Sequence, residues 1–109
     1  MLELGPIQKQ WTAALRSGEY PQGRSYMVCN GKYCCLGVAA RCFELDHDRF
    51  YLTNKSWEKL GLRDSDGAFA YTPELTYGSL AQMNDKGISF AEIADFIEQN
   101  PDLVFTHSV

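Results

Sequence analysis

Apolar residues recur at Ile7, Trp11, Ala14 and Leu15, the i, i+4, i+7, i+8 spacing of one helical face, and Pro6 just before them fits a first helical turn. Gly18 is a natural stop, and Tyr20-Pro21-Gln22-Gly23 reads as a turn, after which the period changes from helical to extended. Segments Ser25 to Cys29 and Lys32 to Cys35 flank Asn30-Gly31, a dipeptide that favours the positive φ angles of a type I′ hairpin turn. A two-residue loop sets the register: Cys29 faces Lys32 and Val28 faces Tyr33. Tyr26, Val28, Tyr33 and Cys35 then share one face, expected to be the core side, and Met27, Cys29, Lys32 and Cys34 share the other.

From Leu36 to about Leu45 the apolar spacing is helical again, and the small residues Gly37, Ala39 and Ala40 allow close packing on a neighbour. Asp46-His47-Asp48 ends this helix; Phe50-Tyr51-Leu52 reads as a short strand, and a brief helix runs from Asn54 or Lys55 to Leu60 with Gly61 as its cap. A further helical segment is expected to start at Thr72-Pro73-Glu74, carry Leu75, Leu80, Ala81 and Met83, and break at Asn84-Asp85-Lys86-Gly87. Ser89-Phe90-Ala91-Glu92 is a capping box opening a last helix with Phe90, Ile93, Ala94 and Ile97 on one face. Asn100-Pro101 ends it, and Leu103 to Phe105 is expected as an edge strand. These elements give an α+β fold: a single small domain spanning residues 1–109, with helices packed around a small antiparallel sheet whose centre is the hairpin.

Composition narrows the roles. At 109 residues, with 45% hydrophobic residues, 13% aromatics and a net charge of −4, the chain has enough apolar surface for one core and too little charge for disorder. No run reaches the ~18 apolar residues of a membrane span, and the N-terminus lacks the charged-then-apolar pattern of a signal peptide. A cytoplasmic location is therefore expected. The ten Lys and Arg residues are scattered, which opposes a phosphate-binding groove and makes a nucleic-acid partner an unfavoured expectation.

Chemistry is concentrated at Tyr33-Cys34-Cys35-Leu36-Gly37, where strand gives way to helix. A cysteine at a helix N-terminus has its thiolate favoured by the helix dipole, so Cys34 or Cys35 could serve as a nucleophile with His47 or His107 as base. The plainer reading is two small packed residues at a tight junction. The four cysteines all lie between positions 29 and 42, too close together for a disulfide scaffold and wrongly spaced for a zinc knuckle, so free thiols without metal or cofactor are expected. Asn84 and Asp85, on a loop between helices, are the preferred polar ligand contacts. Tyr20, Phe69 and Tyr71 belong to an aromatic surplus available to a pocket or interface, with Phe69-Ala70-Tyr71 the favoured surface element.

Several blocks together, Trp11 to Tyr20, Tyr33-Cys-Cys-Leu-Gly-Val38, Asn84-Asp85, and Gly87-Ile-Ser-Phe-Ala-Glu-Ile-Ala-Asp-Phe-Ile-Glu98, resemble a family of small uncharacterised bacteriophage and prophage proteins. The resemblance implies phage or prophage origin and a life in the bacterial host cytoplasm. The role it favours is a non-catalytic accessory protein binding a host protein or a small signalling molecule, for example an anti-CRISPR-like inhibitor of bacterial defence. A cysteine-dependent hydrolase or acyl transferase is the second expectation. The third is a homo-oligomeric interaction module assembling through Phe69, Tyr71 and the C-terminal strand.

Overall fold

Gly5 and Pro6 start helix α1, Pro6–Arg16, in a computed structural model that describes residues 2–109. The inward face of α1 carries Gln8, Trp11, Thr12 and Leu15. Trp11 is fully buried, its indole N–H donates to the Cys35 carbonyl at 3.0 Å, and its ring meets Phe105 edge-on at 6.3 Å. Burying side chains of this size contributes about 1.5–3 kcal/mol each. Gln8 is also buried and uses its whole amide. Its Oε1 accepts from the Gly5 and Val109 N–H groups, and its Nε2 donates to the Leu60 and His107 carbonyls. The last residues of the chain are thereby tied to α1.

The expected hairpin forms with the expected register, strand β1 (Val28–Cys29) against strand β2 (Lys32–Tyr33), with Val28 opposite Tyr33 and Cys29 opposite Lys32. Asn30 at φ 53° and Gly31 at φ 75° supply the two positive φ angles of the turn. The strands are only two residues long, and β2 has a second neighbour: Tyr33 N–H donates to the Pro21 carbonyl and Gly23 N–H to the Tyr33 carbonyl. The expected faces are reversed on the first strand. Met27 is buried, while Tyr26 and Val28 are exposed. The Met27 backbone packs directly on the next helix at Gly37, which has no side chain to prevent it; a Cβ there would sit 1.9 Å from the Met27 carbonyl oxygen.

That helix, α2 (Cys35–Phe43), is followed by a 3₁₀ helix at Ser56–Leu60, with Gly61 in the left-handed region as its cap. Residues 46–53 between them form a tight antiparallel turn rather than a strand, joined by a single bridge between His47 and Leu52. The helix expected from Thr72 starts later. Ser79 is the N-cap of α3, Leu80–Asp85, accepting from Gln82 N–H, and residues before it are turn and loop. Helix α4, Phe90–Gln99, has the expected capping box between Ser89 and Glu92. The edge strand expected at Leu103 to Phe105 is replaced by a short helix α5, Pro101–Val104, because a proline after Asn100 restarts a helix as readily as it ends one. Phe105 keeps one bridge to Leu62.

The fold is α+β, with the main core where α1, α2 and α4 meet, around Trp11, Leu36, Val38, Ile93, Ile97 and Phe105. Among the described residues, no helix is long and apolar enough to cross a membrane.

Candidate binding cleft

Cys34 and Cys35 sit where the sequence places them, at the N-terminus of α2, but inside the protein. Cys34 is the N-cap: its sulfur accepts from Gly37 N–H at 3.3 Å and lies 3.7 Å from the Met27 sulfur. Cys35 is fully buried, its thiol donating toward the Leu80 carbonyl at 3.6 Å. Burial pushes the Cys34 thiol above its ordinary range, outweighing the opposing pull of the Gly37 and Leu36 N–H groups. Burial raises Cys35 further, with Cys34 beside it adding to the effect. The dipole argument for a thiolate thus loses to desolvation.

Neither histidine serves as a base to these thiols. His47 is exposed with Nδ1 against the Asp48 carbonyl, and His107 is exposed with Nδ1 against the Thr106 hydroxyl. Among the described residues, no hydrogen bond joins a histidine to a cysteine.

Asn84 is fully buried and faces inward. Its Oδ1 accepts from Cys35 N–H at 3.1 Å and from the Gln22 amide at 3.0 Å, and its Nδ2 donates to the Gly23 carbonyl at 2.7 Å. The expectation that it presents its amide to a ligand is corrected: the residue locks the 22–23 segment and the start of α2 together. Phe69 is likewise corrected, being buried against Phe96 with ring centroids 4.9 Å apart, whereas Tyr71 is almost fully exposed. Tyr20 is half-buried, edge-on to Tyr33 at 5.4 Å, with its hydroxyl 3.4 Å from the Cys42 sulfur. The oligomer surface expected from Phe69 and a C-terminal strand has lost both elements.

Asp85 does reach a concave site. A cleft of about 430 Å³ opens over the Cys34 end of α2, bounded by Ser25, by Phe50 and Tyr51 of the 46–53 turn, by Asp66, and by α3 with Ser79, Ala81, Gln82, Asp85 and Lys86. Asp85 Oδ1 accepts from Ser25 N–H at 2.8 Å, which holds the Ser25 backbone at φ 69°. The Asp66 carboxylate is raised above its ordinary range by partial burial first, then by the Asp64 and Asp85 carboxylates. The other wall is aromatic. Asp48 Oδ1 accepts from the Phe50 and Tyr51 N–H groups, which lowers the Asp48 carboxyl and fixes both residues at the tip of the turn. Leu52 anchors that turn in the core.

Of these lining residues, only Cys34 and Asp85 were expected as site residues from the sequence. Phe50 and Tyr51 read as strand, and the cue for them was a Phe-Tyr-Leu triplet just after the polar Asp46-His47-Asp48 turn.

The family described as "Domain of unknown function (DUF8296)" matches residues 5–74, well over half of the chain. The chain belongs to this family. The matched span covers α1, the hairpin, α2, the aromatic turn and Asp66, while α3, with Asp85, lies beyond it. No curated protein and no solved structure matches the chain.

Proposed function

We propose that this DUF8296-family chain is a non-catalytic binding protein of phage or prophage origin, working in the bacterial cytoplasm, whose site is the cleft beside Cys34. Its target is a host protein or a small molecule, and inhibition of a bacterial defence is the role that fits such an accessory protein. The observation that carries the reading is the cleft itself. It gathers exposed aromatic rings and open carboxylates from three separated stretches of chain, on a frame fixed by the Asn84 and Asp48 hydrogen bonds. Cys34 at its edge and the fully buried Cys35 behind it have no histidine within hydrogen-bond reach, and burial raises both thiols, which opposes the hydrolase or acyl-transferase reading.

Native mass spectrometry of the protein recovered from bacterial cytoplasm tests this. The wild-type protein should carry excess mass that disappears on mild denaturation, and Ala81→Trp, which fills the cleft from the surface of α3, should remove it. A bare wild-type mass, or an excess that persists in the Ala81→Trp protein, would overturn the reading.

A further inference from the structure

We propose that Tyr26, Phe50 and Tyr51 and the carboxylates of Asp66 and Asp85 form one docking surface for a basic segment of a protein partner, an arginine or lysine of which enters the cleft. This rests on the binding reading above and names the chemistry of the target.

Five large hydrophobic side chains are exposed among the described residues, Tyr26, Val28, Phe50, Tyr51 and Tyr71, and all but Tyr71 lie on the two neighbouring segments that border the cleft. The rings are packed on one another: Tyr26 stacks on Phe50 at 5.3 Å, and Phe50 meets Tyr51 at 6.3 Å. The Met27 N–H donates to the Arg49 carbonyl, joining the two segments, and Tyr26 and Val28 on either side of buried Met27 are both exposed. A contiguous, rigidly held aromatic patch of this kind marks an interaction site, since its order is established before binding.

Charge selects the partner. The Asp66 carboxylate accepts no hydrogen bond among the described residues, and the only ion pairs there join Arg16 to Asp95 and Glu98, well away from the cleft. Asp85 uses one oxygen on Ser25 and keeps the other free. Lys86 also lines the cleft, yet pairs with neither carboxylate, so an excess of negative charge faces the opening. A guanidinium or ammonium group placed there gains charge-assisted hydrogen bonds from below and the face of Phe50 or Tyr51 from the side. Its apolar neighbours would lie on Tyr26 and Val28. A nucleic acid would bring phosphates against the same carboxylates of a chain with net charge −4.

The test uses the ¹⁵N-labelled full chain, with four probes followed by amide shifts. These are a short blocked peptide with arginine between leucines, its citrulline counterpart, arginine methyl ester, and oligothymidylate. The arginine peptide should move Ser25, Tyr51, Asp66 and Asp85. Citrulline should weaken binding about tenfold or more, as should Asp66→Asn with Asp85→Asn. Phe50→Ala should weaken it in a protein whose spectrum stays dispersed. Equal binding of the citrulline peptide removes the charge argument, and equal binding of arginine methyl ester assigns the cleft to a small cation and removes the docking surface. Oligothymidylate binding at Tyr26 and Phe50 would replace the protein partner by single-stranded nucleic acid. If no probe binds while excess mass is still lost in Ala81→Trp, the basic partner is wrong and the cleft stands; if the mass excess is absent too, both fall.

Discussion

Asn84 is the polar residue on which the cleft's frame depends, and replacing it by Ala or Asp separates the contributions of its two ends. In Asn84→Ala, the Cys35 N–H, which belongs to a fully buried residue, loses its acceptor, and the Gly23 carbonyl loses its donor. An orphaned buried group costs about 1–3 kcal/mol; Gly23 is half-buried and recovers part of that from water, so the sum is about 3 kcal/mol. Against a total stability of about 5–15 kcal/mol for a domain of this kind, this is a large loss. Asn84→Asp keeps the acceptor for Cys35 and Gln22 but puts an oxygen 2.7 Å from the Gly23 carbonyl oxygen, where a donor stood. Protonation of the introduced carboxyl restores that donor, so its folded-state pKa is raised above the unfolded value. The penalty is then complete above the raised pKa and fades as pH falls toward the ordinary aspartate range near about 4. Urea unfolding followed by the fluorescence of Trp11 and Trp57, at about pH 7 and about pH 5, measures the difference between variant and wild type. A variant within about 0.5 kcal/mol of wild type at neutral pH, or a deficit unchanged in acid, would refute the assignment of these hydrogen bonds.

Gly37→Ala should be among the most damaging single changes, costing several kcal/mol and lowering the melting temperature by tens of degrees, because its Cβ would meet the Met27 backbone oxygen at 1.9 Å; calorimetry reads it, and a near-native transition would contradict the packing. Iodoacetamide at neutral pH should label exposed Cys29 in the folded protein and leave Cys34 and Cys35 unmodified, as peptide mass mapping would show; faster labelling of Cys34 than of Cys29 would revive the nucleophile. Asp66→Asn should raise the melting temperature at neutral pH, since the folded protein holds that carboxyl above its ordinary range and ionisation works against folding. The gain should be present above the raised pKa and vanish as pH falls below the usual aspartate range, and a loss of stability at neutral pH would mean that Asp66 has a partner in the fold.

Local signals carried most of the fold. Pro6 and the Trp11 stripe, the Asn30-Gly31 turn and the Ser89 to Glu92 capping box each act within a few residues, and each stands where the sequence places it. Ser79 followed by Gln82 was an equally local helix start, and it was the Thr72-Pro73-Glu74 signal that misled. The hairpin faces could not be read locally, because the segment that buries Met27 packs its backbone on Gly37, ten positions on and in another element. The cleft is the extreme of this. Ser25, Phe50, Asp66 and Asp85 are spread over most of the chain, and no spacing rule joins them. Asp85 was legible as a polar loop residue, but Asn84 beside it, of like character in sequence, was taken inward by the need to satisfy Cys35 N–H.

Photo-crosslinking in bacterial cells, with p-benzoylphenylalanine replacing Tyr51 in one protein and Tyr71 in another, would show whether a basic partner docks on the cleft. Both side chains are exposed, but only Tyr51 lines the cleft. Position 51 should give a discrete adduct, lost in the Asp66→Asn and Asp85→Asn background, with the attached peptide carrying arginine or lysine at the point of contact. Adducts from position 71 alone, or none from position 51, would rule out docking at the cleft.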